Sequence, residues 1–260
     1  MRRFSSQDTN HLLKHGKDPF ELLKTVTNNI PVEHITGMGE FYGRDFKVDK
    51  NVLIPRVETE EIIDIALEIL DERANKYGKV TFADVGTGSG VIGITMALEL
   101  EKRLIPYDGY LSEISHPALD IAEFNAREFL TERELHCFIN QKDESSLQIL
   151  HSDLLKEFPK MKFDLILSNL PYIPSSRISS LNSSVKDFEP REALDGGSDG
   201  LELIRKLLEQ STKFLNVNGT VVLEVDDTHT KKETLEFSKW NIEVLNDQFE
   251  RNRFWVCTLL

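Results

Sequence analysis

Apolar side chains between Thr59 and Tyr77 fall at Ile62, Ile63, Ile65, Ala66, Ile69 and Leu70. That spacing follows the period of about 3.6 residues of a helix with one buried face. Downstream the pattern changes to short apolar runs that alternate with longer amphipathic stretches. Val80–Val85, Tyr107–Leu111, Leu147–Ser152 and Phe163–Leu167 read as strands. Val91–Glu101 and Pro117–Leu130 read as helices, the second with its proline in the first turn. A helix over Leu201–Phe214, a strand over Thr220–Val225, a helix over Lys231–Ser238 and closing strands at Ile242–Leu245 and Arg253–Leu259 complete the series. Repeated strand–helix units predict an α/β fold with a parallel sheet covered on both faces. Upstream, residues 34–56 carry Gly37, Gly39 and Gly43, then alternating Phe41, Phe46 and Val48, which predict a β-hairpin leading into a loop. Residues 1–30 are polar, with one short helical stretch at Pro19–Thr25, too little to fold alone. The expected division is 1–33 helical segment, 34–57 hairpin linker and 58–260 catalytic domain.

Composition narrows the classes of function. The chain has 260 residues, is 40% hydrophobic and carries a net charge of −13. Such an acidic balance argues against a general nucleic-acid binder, which needs a basic stripe for phosphates. Cys137 and Cys257 are the only cysteines, so neither a disulfide framework nor a thiolate metal cluster is implied. No apolar run reaches the roughly 18 residues that span a bilayer. The expectation is a cytoplasmic protein and a monomer. The basic start, Met1-Arg2-Arg3-Phe4, resembles the tip of an organelle-targeting segment as well as a frayed terminus, which leaves a mitochondrial matrix as the alternative. His11 and His15 lie four residues apart, but no acidic metalloprotease pattern surrounds them and no metal site is expected.

Three kinds of turn carry candidate chemistry. Asp84-Val85-Gly86-Thr87-Gly88-Ser89-Gly90 follows a strand and opens a helix. Glycines there let a ligand approach the backbone, and the helix start offers free N–H groups. Gly88, Gly90 and Gly93 match the dinucleotide fingerprint literally, yet Asp84 places negative charge where a pyrophosphate would sit badly. A cationic ligand suits this turn better, and S-adenosylmethionine carries both a sulfonium and an ammonium. Glu113, after the next strand, is placed to accept hydrogen bonds from ribose hydroxyls. Asp153, at the end of the third strand, is a candidate for the adenine amino group.

Asn169-Leu170-Pro171-Tyr172 ends the strand Phe163–Leu167. It offers an amide oxygen, carbonyls whose competing donor Pro171 has removed, and an aromatic face. That set suits a planar –NH2 group and points to chemistry on an amide or exocyclic amine nitrogen. A later stretch, Glu189-Pro190 to Asp199-Gly200, precedes the helix at Leu201. It reads either as a capped loop with Asp199 near the helix start or as a lid over the substrate.

Taken together these residues resemble the HemK/PrmC-type glutamine N(5)-methyltransferases of peptide-chain release factors, from about Ile35 to the C-terminus. The resemblance rests on Ile35-Thr36-Gly37, Glu40-Phe41-Tyr42-Gly43, Leu53-Ile54-Pro55-Arg56-Val57-Glu58-Thr59-Glu60, the Asp84–Gly90 turn, Glu113-Ile114-Ser115, Ser168–Pro174 and the Glu189–Leu201 signature. It implies a class I S-adenosylmethionine-dependent methyltransferase fold, Rossmann-like, with a seven-stranded, mostly parallel sheet holding an antiparallel strand, preceded by the hairpin and a short helical segment. It implies S-adenosylmethionine as cofactor, held by Asp84, Gly86, Thr87, Gly88, Gly90, Glu113, Asp153 and Asn169. It also implies catalysis by Asn169, Leu170, Pro171 and Tyr172 on the glutamine of the Gly-Gly-Gln loop of a class I release factor. Asn169 and the Leu170 carbonyl would accept both amide hydrogens, and Tyr172 would pack on the amide plane. The chain departs from the family in three places. Leu170 and Val57 stand where the family usually has proline, and Glu113 where it usually has aspartate. The family's N-terminal helical bundle is nearly absent. Leucine supplies the same backbone carbonyl as proline, so the grip on the amide is expected to survive.

The alternative is an adenine N(6)-methyltransferase acting on RNA or DNA, since Asn-Leu-Pro-Tyr is the usual form in ribosomal RNA adenine dimethyltransferases. Those enzymes usually open the glycine turn with Glu and carry basic surface for phosphates, and neither feature is present. A binding protein without enzymatic activity is the third class, distinguished by cofactor binding without methyl transfer.

Overall fold

The computed structural model describes residues 4–26, 29–139 and 145–260. The basic start, Met1 to Arg3, lies outside the described residues. Three short helices open the chain: α1 (Ser6–Lys14), α2 (Pro19–Thr25) and α3 (Val32–Thr36). Local residues set a bound of each. Ser5 and Asp8 form a reciprocal capping box on α1, and Asp18 caps α2 ahead of Pro19. Gly37, with φ of 76°, ends α3 in the left-handed region. The hairpin follows as β1 (Met38–Phe41) and β2 (Arg44–Lys47), antiparallel, with Phe41 and Phe46 wholly buried.

A 3-10 turn at Glu58–Glu60 leads into α4 (Glu61–Tyr77). Then come β3 (Val80–Val85), α5 (Val91–Lys102), β4 (Tyr107–Glu113), α6 (His116–Ile139), β5 (Ser146–His151) and β6 (Phe163–Ser168). The chain continues through α7 (Ser183–Lys186), α8 (Glu202–Ser211), β7 (Leu215–Glu224), β8 (Trp240–Asn246) and β9 (Asn252–Leu259). The large sheet has seven strands in the order β5-β4-β3-β6-β7-β9-β8. β9 runs antiparallel to both of its neighbours and every other pairing is parallel. The expected α/β architecture, with its hairpin and antiparallel strand, is therefore the one observed.

Both faces of the sheet are covered. One core gathers α4, α5 and the hairpin around Ile62, Ile63, Phe82, Ile94 and Leu111. The other gathers α8 and the strand faces around Ile166, Ile204, Leu207, Val221 and Trp255. Burying each such aliphatic side chain contributes roughly 2 kcal/mol, so α8 is held by its apolar stripe rather than by its caps. Asn125 on α6 ties the hairpin to the core. Its amide accepts from the Lys47 N–H at 2.8 Å and donates to the carbonyls of Lys47 and Ser89, at 3.0 and 2.8 Å.

One expected element differs. Lys231–Ser238 is not an α-helix but holds a single 3-10 turn at Glu233–Glu236. The Glu233 carboxylate folds back onto the Thr230 N–H and hydroxyl. Phe237 then packs edge-on against Trp255, ring centroids 5.6 Å apart, and the chain drops directly into β8. The periodicity there reflects one aromatic anchor, and the turn ends where that anchor is reached.

The order of strands sets the place for a ligand. From β3 the chain builds outward to β4 and β5, then returns to lay β6 on the other side of β3. The carboxyl ends of β3 and β6 thus flank the point where the winding reverses, which is where open α/β sheets hold their ligands.

Candidate functional site

A cavity of about 400 Å³ opens at that reversal point. Four strand ends contribute to it: Gly86–Ser89 after β3, Glu113–Ser115 after β4, Ser152–Leu154 after β5 and Asn169–Pro171 after β6. A fifth wall comes from the segment before α4, through Val52, Leu53, Pro55, Arg56 and Thr59. Its size falls within the roughly 300–1,000 Å³ usual for small-molecule sites.

The glycine turn is built around Asp84, which lies beneath it, wholly buried, rather than on the cavity wall. Its Oδ2 accepts from the Thr87 hydroxyl at 2.5 Å and from the Gly93 N–H at 2.9 Å. Its Oδ1 is buried without a donor. Burial pushes the Asp84 carboxyl up to about 6, against the pull of those two hydrogen bonds. Gly90 also sits behind the wall, with α5 and α6 so close that a Cβ would stand 2.7 Å from Ile94. Gly88 is different. Its φ is +57° and nothing lies within 4 Å of where a Cβ would project, so the backbone there is bare toward the cavity.

Glu113 lines the cavity and is itself held by backbone. Its Oε2 accepts from the Gly88 N–H at 3.0 Å and its Oε1 from the N–H groups of Ile114 and Ser115, each at 2.9 Å. A carboxylate has about four acceptor positions, so acceptor capacity remains for hydroxyls. Asp153 lies on the rim, ion-paired with Lys156. The bare backbone at Gly88, the acceptor at Glu113 and the apolar lining from Ile92, Ile114 and Leu154 together fit a nucleoside-bearing cofactor.

The Asn169 loop is held by side chains remote in sequence. The Asn169 Nδ2 donates to Glu224 Oε2 at 3.0 Å and to Thr59 Oγ1 at 3.3 Å. The Tyr172 hydroxyl donates to Glu224 Oε1 at 2.9 Å. Burial and the adjacent Glu224 carboxylate hold the Tyr172 phenol well above its usual range, so it stays a donor. Asn169, Leu170 and Pro171 line the cavity, while Tyr172 does not. Leu170 lies over the glycine turn, its Cδ2 only 2.8 Å from where a Cβ on Gly86 would stand.

The Glu189–Gly200 stretch acts as a bracket more than a lid. Ile173 bridges to Asp195, the Ile173 N–H donates to the Leu194 carbonyl, and the Gly196 N–H donates to the Ile173 carbonyl. Gly196 and Gly200 press on the backbone of Pro171 and Tyr172, leaving no room for a Cβ. Pro190, Glu192 and Ala193 still reach the cavity. Arg56 joins the two signature segments, pairing with buried Glu189 at 2.5 Å.

Thr59, Arg56 and Glu224 are absent from the expected site residues. The signal for Glu224 was a lone carboxylate in the apolar run Val221-Val222-Leu223-Glu224-Val225, since an acid in a buried strand is rare without a partner.

Residues 54–180 match the family model described as Methyltransferase small domain. A release factor glutamine methyltransferase of Rhodopirellula baltica is 36% identical over 206 residues, covering 79% of this chain and 64% of that protein. The one from Bacillus cereus is 36% identical over 207 residues, covering 79% and 66%. The one from Clostridium botulinum is 35% identical over 218 residues, covering 83% and 70%. About a third of each relative's length therefore lies outside the match. A methyltransferase structure from Pyrococcus furiosus superposes with a TM-score of 0.52 at 17% identity, covering 98% of both chains, and so shares the fold.

Proposed function

The chain belongs to the release factor glutamine methyltransferase family, and from that premise we propose that it transfers a methyl group from S-adenosylmethionine to the side-chain nitrogen of the glutamine in the Gly-Gly-Gln loop of a class I release factor. The observation that carries this reading is the meeting of the glycine turn and the Asn169 loop on one cavity, with Leu170 packed on Gly86. The names of the relatives do not favour the adenine alternative.

S-adenosylmethionine, when bound, supplies a methyl group on a sulfonium. The chain's residues do the rest by placement. Gly86 to Gly88 and Glu113 hold the cofactor, with Asp153 at the rim. The Asn169 carbonyl oxygen and the Leu170 backbone carbonyl accept the two amide hydrogens of glutamine. An amide nitrogen is a weak nucleophile because its lone pair is delocalised. Holding both hydrogens turns that lone pair toward the methyl group, and orientation of this kind can supply much of the acceleration. Tyr172 stiffens the loop from behind. The proton leaves once the nitrogen has been alkylated and has become acidic. Among the described residues no helix is long and apolar enough to cross a membrane, and the reading places the protein, as a monomer, in the cytoplasm where release factors work.

Labelled S-adenosylmethionine offered with a class I release factor, its Gly-Gly-Ala variant and bulk RNA tests this directly. Label on the unaltered factor alone is the expected outcome, and label on RNA would transfer the case to adenine methylation. Asn169→Ala should lower turnover by about 100-fold or more.

A further inference from the structure

Glu224 ends β7, two strands from the glycine turn, and is 1% exposed. It does not itself line the cavity. Yet its two oxygens take the Asn169 amide and the Tyr172 hydroxyl, one each. We propose that Glu224 is a positioning residue that fixes which way the Asn169 carboxamide faces, and so presents an acceptor rather than a donor to the substrate amide. This inference rests on the amide-methylation reading above.

The argument is one of donors and acceptors. A carboxamide can be turned over with almost no change of shape, exchanging its oxygen for its NH2. Burial pushes the Glu224 carboxyl up, opposed by the Thr59 and Tyr172 hydroxyls and the Arg253 charge, and in its ionised form it accepts only. Turning Asn169 over would set its oxygen against the buried Glu224 oxygen, leaving two acceptors in contact with no proton between them, which is costly away from water. With Glu224 in place the NH2 faces β7 and Thr59, and the carbonyl oxygen is the atom left for a ligand. The Tyr172 hydroxyl secures the other carboxylate oxygen, so the carboxylate cannot swing to release Asn169.

The test exchanges acceptors for donors without changing shape. In Glu224→Gln, the glutamine oxygen keeps Tyr172 and its NH2 faces residue 169, so Asn169 turns over and offers its own NH2 to the substrate. Turnover on release factor should fall about 30-fold, with the thermal midpoint and the cofactor Kd little altered. Asn169→Asp alone places two carboxylates together and should also be poor. The double variant Glu224→Gln with Asn169→Asp restores a donor facing an acceptor and again points an oxygen at the substrate. It should exceed either single variant by about tenfold. If Glu224 only fills space, the two losses simply add and the proposal is overturned.

A second readout needs no substrate. The Asn169 side-chain NH2, observed by nitrogen-15 NMR, should be protected from solvent exchange in the unaltered protein and lose that protection in Glu224→Gln. Equal protection in both proteins would overturn the inference. If the NMR pattern holds but the unaltered protein leaves release factor unlabelled, the substrate reading fails and the role of Glu224 stands.

Discussion

The two loops that face each other across the cavity are held in opposite ways. The glycine turn after β3 is stabilised from within its own neighbourhood. Asp84, Thr87 and Gly93 bond to one another within nine residues, and Glu113 caps the Gly88 N–H from the adjacent strand. The Asn169 loop makes none of its decisive contacts locally. Thr59 lies 110 residues before it and Glu224 55 residues after it. Gly196 and Gly200 press on it from a third segment. A turn that grips a cofactor by its backbone can be written in one stretch of chain. A turn that must orient a single amide is held from three directions, because one misdirected group there exchanges an acceptor for a donor.

The largest test of that contrast is a pair of glycine substitutions. Gly200 has φ of +82°, and a Cβ there would run into the Tyr172 carbonyl oxygen, which is backbone and cannot move aside. Gly200→Ala should cost about 3 kcal/mol or more in stability and reduce turnover on release factor severely, while cofactor binding survives. Gly88→Ala meets only its unfavourable φ of +57° and open space. It should cost about 1 kcal/mol and weaken cofactor binding instead. Denaturant unfolding and calorimetric titration of both variants separate the two outcomes. Equal loss of cofactor affinity in the two would mean that the loops are one mechanical unit.

A smaller effect concerns the charge beneath the glycine turn. The Asp84 carboxyl is raised by burial from 3.8 to about 6. The folded protein therefore binds the proton more tightly than the unfolded chain. Its contribution to stability is fully present below pH 3.8 and is lost as pH rises to about 6. Asp84→Asn keeps an acceptor for Thr87 and Gly93 but carries no charge. The cofactor-free variant should match the unaltered protein near pH 4 and exceed it by about 2 kcal/mol at pH 8. Urea unfolding across that range checks the sign, and a difference that does not change with pH would show that Asp84 is not a buried charge.

The same contrast decides what the amino-acid sequence reveals. The strand–helix series, the hairpin and the Asp84–Gly90 and Asn169–Tyr172 turns were all legible, because each is encoded in residues that adjoin. Glu224 was not assigned, since nothing near it in the chain says that its partners are Asn169 and Tyr172. Tyr172 was expected to pack on the substrate amide; the bond of its hydroxyl to Glu224 and its place outside the cavity lining had no signal in the adjoining residues. The Glu189–Gly200 stretch stayed open between cap and lid because only the tertiary contact with Ile173 identifies it as a bracket. The helix expected over Lys231–Ser238 failed for a related reason. Its period matched, but Phe237 finds Trp255 before a full helix can form.

The smallest expected effect lies at Leu170, where the two loops touch. The side chain is 5% exposed, belongs to the core that also holds Ala83, Val85 and Leu201, and lies over Gly86. Pro171 already biases residue 170 toward an extended backbone, a region that proline can also occupy. Leu170→Pro retains the carbonyl that the amide-methylation reading uses and removes part of the packing. It should cost about 1 kcal/mol of stability, the lost contacts being partly offset by a stiffer unfolded chain. Turnover should stay within about threefold, because the atom that meets the substrate belongs to the backbone. Steady-state kinetics beside a thermal melt separate the two quantities. If turnover instead fell by more than tenfold while the melt barely moved, the leucine side chain would be setting the distance between the glycine turn and the substrate amide. The two loops would then be coupled through that one contact, and the division between a locally built cofactor wall and a remotely held substrate wall would have to be redrawn at Leu170.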